Sequence, residues 1–116
     1  MISQKADQQI DSAFCPYFHE AAELIGRRWN GVILRAMLHN LAHFNEIKRA
    51  IPDLSPRMLS ERLKELERAG LIEREVIPTT PVRTVYRLTA KGRELSAVFD
   101  AIESWAHRWL VPETGS

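Results

Sequence analysis

The stretch that most limits what this chain can fold into runs from Leu54 to Leu71, LSPRMLSERLKELERAGL. Ser55 can accept a hydrogen bond from the orphan amides of a first helical turn. Pro56 loses nothing at the next position, because its missing N–H has no partner there. Gly70 stands where a helix ends in a left-handed residue. The spacing therefore predicts a helix over about 55–69. Leu59, Leu63 and Leu66 recur at helical intervals, so a narrow apolar stripe faces a core. At about 100° per residue, Arg57, Glu61, Lys64 and Arg68 fall on the opposite side with Ser60 beside them. Arg62 turns to the flank, toward helix packing or an intrahelical pair. Two readings fit such a face. It is a solvated surface, or it holds long hydrogen-bonding side chains toward a groove of double-stranded DNA.

The flanking sequence decides between them. Phe44, Ile47 and Ile51 keep a helical spacing and predict a short helix over about 44–50, which Pro52 ends. A short helix, a tight connection and a second, capped helix make a helix-turn-helix, whose second helix enters the major groove. After Gly70 the period changes. Leu71 to Ile77 mixes alternation with β-branched residues, Pro78 to Val82 cannot be helix, and Thr84 to Leu88 alternates again. A hairpin over about 72–88 is thus a wing beside the helix-turn-helix. Thr89 caps a last helix over about 90–110, with Leu95, Val98, Phe99, Ile102, Trp105, Ala106, Trp109 and Leu110 on one face. That face is buried against a second copy, or against the chain's own first helix.

Upstream, residues 1–14 read as a flexible arm. Cys15 is placed to cap a first helix with Pro16 at its first position, Ala21, Leu24 and Ile25 inward, and Gly26 as its stop. A second helix is expected from Trp29 to Leu38, with Trp29, Val32, Ile33, Ala36 and Met37 inward and Asn40 left-handed at its end. The first helix is expected to abut the last. The fold class is α+β, mainly α: a winged helix-turn-helix over 15–110 with a C-terminal dimerisation helix.

With 116 residues the chain can build one domain and its core. A net charge of +1 supplies no global positive field, so DNA binding would rest on a local basic surface. No apolar run approaches the roughly 20 residues of a membrane span, and the polar N-terminus lacks the hydrophobic segment of a signal peptide. The single cysteine excludes an internal disulfide and fits a reducing cytoplasm. Residues 111–116 read as a disordered tail, because nothing hydrophobic or basic follows the sorting-like pattern Val111-Pro112-Glu113-Thr114-Gly115.

From Cys15 to Trp105 the sequence resembles the HxlR-type winged-helix transcription regulators of bacteria and archaea. Cys15-Pro16, Ile25-Gly26 and Trp29 resemble the family's opening. Phe44-Asn45-Glu46-Ile47 with Ile51-Pro52 resembles its third helix. Leu54-Ser55-Pro56, Leu59-Ser60, Arg62-Leu63, Leu66 and Ala69-Gly70-Leu71 match its recognition segment. Tyr86, Leu88-Thr89 and Lys91-Gly92 match its strand-to-helix junction. Arg27, where many relatives carry a glycine, and the less acidic wing tip Thr79-Thr80 depart from the pattern. The resemblance implies a DNA-binding homodimer paired through its terminal helices.

Arg57 and Lys64 are candidates for guanine or phosphate, and Glu61 for cytosine N4. Ser55 at the helix N-terminus suits a phosphate, and Pro56 and Ser60 complete the expected DNA-binding set on this helix. Arg83 in the wing is placed for the minor groove or for a salt bridge with its strand neighbours. Leu95, Val98, Phe99, Ile102, Trp105 and Trp109 are the expected dimer interface. No cofactor or metal is expected: His39 and His43 straddle a helix break, and His19 with Glu23 lacks further ligands. No catalytic constellation suggests an enzyme. Cys15 at a helix N-terminus feels the positive end of the dipole, which favours a reactive thiolate. Its alternative is a buried structural cysteine. The resemblance adds that some members sense oxidants or electrophiles through a cysteine at this place. The expected function is a sequence-specific transcriptional regulator, a homodimeric repressor on a palindromic operator. The alternative is a winged-helix scaffold for protein or RNA.

Overall fold

The computed structural model describes residues 13–112. Helix α1 spans Pro16–Gly26, α2 Asn30–Leu38, α3 Phe44–Ala50 and α4 Pro56–Arg68. Strands β1, Ile72–Ile77, and β2, Arg83–Leu88, follow, then α5, Ala90–Arg93, and α6, Ser96–Trp109. The expected arm and tail lie mostly outside the described residues.

The core forms where apolar stripes from several elements meet. Ile33, Leu34 and Met37 of α2, Ile47 of α3, Leu59, Leu63 and Leu66 of α4, and Phe99 of α6 are all buried in one cluster with Leu54, Leu71 and Ile72. Helix α4 has the predicted ends. Ser55 Oγ accepts the Met58 amide at 3.1 Å, and Pro56 is the first helical residue. Gly70 adopts φ 77°, a left-handed conformation that costs glycine little.

β1 and β2 pair antiparallel from Ile72 opposite Leu88 to Ile77 opposite Arg83. The hairpin is tied at both faces of its base. Tyr86 N–H donates to Ala42 O at 2.8 Å, and Thr89 Oγ1 donates to Gly70 O at 2.7 Å. Gly92 is buried, and a Cβ there would collide with the Leu71 carbonyl oxygen, so the close approach requires glycine. Lys91 reaches back to Ala69 O at 2.8 Å. The Lys91-Gly92 pair therefore docks the last segment onto the end of α4.

Helix α1 ends at Gly26, where its stop is expected, with Arg27 as the cap. Four expectations are corrected. The left-handed residue of the turn that follows α1 is Trp29, at φ 80°, which precedes α2 and does not belong to it. The Arg28 guanidinium lies 4.9 Å from the Trp29 ring centroid, a cation–π contact that shields the indole there. Ala21 and Val32 are exposed, because the apolar side of α1 reaches the core only through Leu24 and Ile25, and that of α2 through Ile33, Leu34 and Met37. The last helix is broken into α5 and α6 by a turn at Glu94 and Leu95. Finally, α6 packs on α2, where Arg35 pairs with Glu103 at 2.9 Å, so α2 takes the place expected of the first helix.

Candidate nucleic-acid interface and thiol site

Helix α4 buries Leu59, Arg62, Leu63 and Leu66 and turns Arg57, Glu61 and Lys64 to solvent, as its periodicity requires. Arg57 is 91 % exposed and pairs with Glu61 one turn on, at 3.4 Å. An exposed i,i+4 pair of this kind is worth only about 0.3–0.5 kcal/mol, so either member can exchange its partner for a base edge or phosphate. Lys64 makes no ion pair among the described residues. Ser55 and Pro56 are exposed at the helix N-terminus, and Ser60 is half-buried. Ser55 Oγ is already the cap acceptor, which leaves its O–H free to donate to a phosphate. Arg83 is exposed at the tip end of β2. The wing's ion pair is instead Arg87 with Glu75, at 2.9 Å, so Arg83 is not engaged by its strand neighbours among the described residues.

Upstream of α4, Glu46 fixes the start of α3. Its Oε1 accepts the Ala42 and His43 amides at 3.1 and 3.0 Å, and these bonds hold the carboxyl below its ordinary range. The helix-turn-helix is thus capped at both N-termini before any DNA arrives.

Arg62, left to the flank by the sequence, is buried. Its Nη1 meets Glu65 Oε2 at 2.8 Å. The same carboxylate takes Arg27 Nε at 3.1 Å and Asn30 Nδ2 at 3.2 Å. Asn30 is fully buried and also donates to Leu24 O at 2.9 Å. Sequence reasoning missed Asn30 and Glu65. Asn30 was hidden in an apolar helical run, and Glu65 looked like one more charge on a charged helix.

Cys15 is exposed, not buried. It caps α1 by accepting the Phe18 amide on Sγ at 3.4 Å. Phe14, Tyr17 and Phe18, its neighbours in the sequence, are 61 %, 82 % and 74 % exposed, so large aromatic side chains stand in solvent at this end of α1. Of the expected dimer residues, Phe99 is buried in its own core and Leu95 packs against that core, so neither faces outward. Val98, Ile102, Trp105 and Trp109 are exposed and form an apolar strip along α6. His39 and His43 lie on opposite sides of the α2–α3 break, and no group of three or more metal-binding side chains converges among the described residues. No helix there is long and apolar enough to cross a membrane.

The sequence matches the HxlR-like helix-turn-helix family over residues 24–114. It is 46% identical over 101 residues to the HTH-type transcriptional regulator YvaP of Bacillus subtilis, covering 87% of this chain and 94% of that one. It is 44% identical over 103 residues to the HTH-type transcriptional regulator YodB of the same organism, covering 89% and 92%. The reduced form of YodB superposes with a TM-score of 0.73 at 45% identity, over 83% of this chain and 94% of that one. Its quinone-bound form superposes with a TM-score of 0.71 at 41% identity, over 82% and 100%. A diamide-treated form of YodB gives 0.69 at 45% identity, over 83% and 95%. A capped helix with an outward polar face, a wing beside it and these relatives lead to one assignment: the chain belongs to the HxlR-like helix-turn-helix family and is a DNA-binding transcriptional regulator.

Proposed function

We propose that this regulator is a homodimeric cytoplasmic repressor of a two-fold operator, and that Cys15 is its sensor for electrophiles and oxidants. It acts by binding and not by catalysis. The observation that carries the DNA side is the polar face of α4, with Arg57, Glu61 and Lys64 outward and the leucine stripe spent on the core. Ser55 and Ser60 donate to phosphates from the N-terminal half of the helix, Pro56 packs beside them, and Arg83 extends the contact from the wing. The apolar strip Val98, Ile102, Trp105 and Trp109 supports dimerisation, since such a strip is costly to leave in water. Two recognition helices related by a two-fold axis meet successive major-groove faces about 34–36 Å apart, or a multiple of that.

An exposed thiol at a helix N-terminus, with the exposed aromatics Phe14, Tyr17 and Phe18 next to it in the sequence, supports the sensing role. Planar apolar electrophiles partition to such side chains. With a quinone, the sulfur adds to a ring carbon, the S–C bond forms, and the ring is reduced to a hydroquinone that retains the thiol proton. With one cysteine per chain, a disulfide must join two chains or a chain and a small thiol. Diamide would accept the two electrons and two protons that this releases. Either product removes the sulfur from its place as the α1 cap.

The test is an operator titration on duplexes with a palindrome and on random duplex at physiological salt. Arg57→Ala is expected to lose about 1–3 kcal/mol of operator affinity and to relax preference at one base pair per half-site. Unchanged affinity and preference would mean that α4 is not inserted. A quinone should change the affinity of wild type and not of Cys15→Ser. Equal responses would make Cys15 a cap and nothing more.

A further inference from the structure

The geometry points to Glu65 as a positioning residue that couples the tilt of the DNA-reading helix to the helix that begins at Cys15. Helix α1 has no buried residue, and Leu24 and Ile25 alone pack it on the core. It is a lever of 11 residues, about 16 Å long. Cys15 caps its N-terminal end, and its C-terminal end is tied to α4 through one carboxylate.

The fastening has two strands. Asn30 Nδ2 bridges Leu24 O, in the last turn of α1, to Glu65 Oε1. Arg27, whose amide donates to Glu23 O at 3.1 Å, reaches Glu65 Oε2 with its guanidinium. Arg62 holds that same oxygen from within α4. A rotation of α1 that moves Leu24 or Arg27 must therefore move Glu65 or break its bonds. Glu65 is one turn from Glu61 and adjacent to Lys64 on α4, so its displacement is felt on the outward face.

The network is also incompletely satisfied. Asn30 Oδ1 and Arg62 Nε are buried without a hydrogen-bond partner among the described residues. Such orphans cost free energy, so an arrangement of the same four side chains that pairs them would recover part of that cost. A solvent-open cleft of about 560 Å³ between α1 and Glu65 leaves room for the rearrangement. A coupling element needs two accessible arrangements, and this polar joint has the features of one where the leucine core around it does not.

The regulatory use of this joint rests on Cys15 being the sensor, but the coupling itself is measurable without that reading. The only thiol in the chain can be labelled with a bimane fluorophore. Operator duplex should shift the emission of labelled wild type, because coupling is reciprocal. In Arg27→Ala the shift should fall to less than a third, and Arg27→Lys should restore most of it. If the label itself blocks the operator, labelled Arg27→Ala should recover binding. In parallel, diamide should change the operator Kd of the unlabelled wild type about tenfold, within the usual range of allosteric coupling. It should change that of Arg27→Ala and Glu65→Gln by no more than about twofold, with Cys15→Ser as the unresponsive control.

Arg27 is more than half exposed, so its variant should fold, and its unfolding midpoint is measured alongside. A role confined to stability would lower the affinity of treated and untreated protein by one common factor. The diamide ratio and the emission shift would then stay intact in Arg27→Ala, and the inference would be overturned. An emission shift that depends on Arg27 while wild type and Cys15→Ser ignore diamide alike would sink the sensor reading and leave the joint standing. No emission shift and no recovery in any variant would sink the joint.

Discussion

Helices α4 and α6 are nearly the same length, 13 and 14 residues, and both are amphipathic, yet they spend their apolar faces differently. Helix α4 buries Leu59, Leu63 and Leu66 almost completely and leaves no large hydrophobic side chain exposed. Helix α6 buries Phe99 alone and presents Val98, Ile102, Trp105 and Trp109 outward. A helix whose apolar stripe is used up inside its own chain is positioned by that chain. A helix whose stripe is left over is positioned only when something else covers it. The contrast separates a rigid reading element from an association element.

The sharpest way to break that contrast is to empty one stripe at a time. Leu63→Ala should cost about 2–5 kcal/mol of unfolding free energy, the usual range for a buried leucine. Ile102→Ala, at a half-exposed site, should cost the single chain no more than about 0.5 kcal/mol. Urea unfolding at several protein concentrations measures both. A large, concentration-independent loss for Ile102→Ala would mean that the α6 face is already packed within the chain.

A smaller effect is expected on association. Ile102→Ser with Trp105→Ser removes two large side chains, each worth about 1.5–3 kcal/mol when fully buried. The dimer dissociation constant should rise by at least about 100-fold in sedimentation equilibrium. A soluble, dimeric, operator-binding double variant would rule out α6 as the seam.

The same two helices show what the sequence could and could not display. Ser55, Pro56, the leucine interval and Gly70 act within a few residues of one another, so α4 was legible to its last turn. The strands and wing were legible for the same reason, since alternation and prolines are local. The turn into α2 was not. Helix α1 ends at Gly26 as its glycine signals, but the chain then turns at Trp29, whose positive φ no local residue pattern announces. Leu95 and Phe99 share a helical face with Ile102 and Trp105 in the sequence. What separates them is how far the core reaches along α6: Leu95 and Phe99 at its start pack on the core, and Ile102 and Trp105 further on are exposed. The Glu65 joint was invisible because its partners lie up to 38 residues away, and the spacing of one helix does not report what another brings to it.

The caps of α4 and α1 offer a finer comparison. Ser55→Ala should cost about 1 kcal/mol, the typical worth of a hydroxyl N-cap. Cys15→Ala should cost clearly less, because a thiol sulfur is a weak acceptor and its contact is longer, 3.4 Å against 3.1 Å. Equal losses would show that α1 is held by more than its fastened end. The pair of unfolding curves also sets the background against which any effect of Cys15 modification is read.

The smallest expected difference between the two halves is in acid. Glu46 in the helix-turn-helix and Glu103 on α6 both titrate below their ordinary value near 4.5. Both therefore favour the fold above that value, and the contribution is lost as the pH falls through each folded-state pKa. Their causes differ. Glu46 is held down by the amides of Ala42 and His43, with His43 and Arg49 adding charge. Glu103 is held down first by hydrogen bonds from Arg35, then by its charge, with His107 and His39 adding to it. Salt screens the exposed guanidinium pair far more than it weakens bonds to neutral amides. Glu46→Gln should thus flatten the fall of stability below about pH 4.5 at low and at high salt alike, since the Gln carbonyl still accepts both amides. Glu103→Gln should flatten it only at low salt. Unfolding midpoints between pH 3 and 6 at two ionic strengths decide the matter. If both variants lose their effect in salt, α3 is held by charge and not by its cap, and the helix-turn-helix is less self-contained than its buried leucines imply.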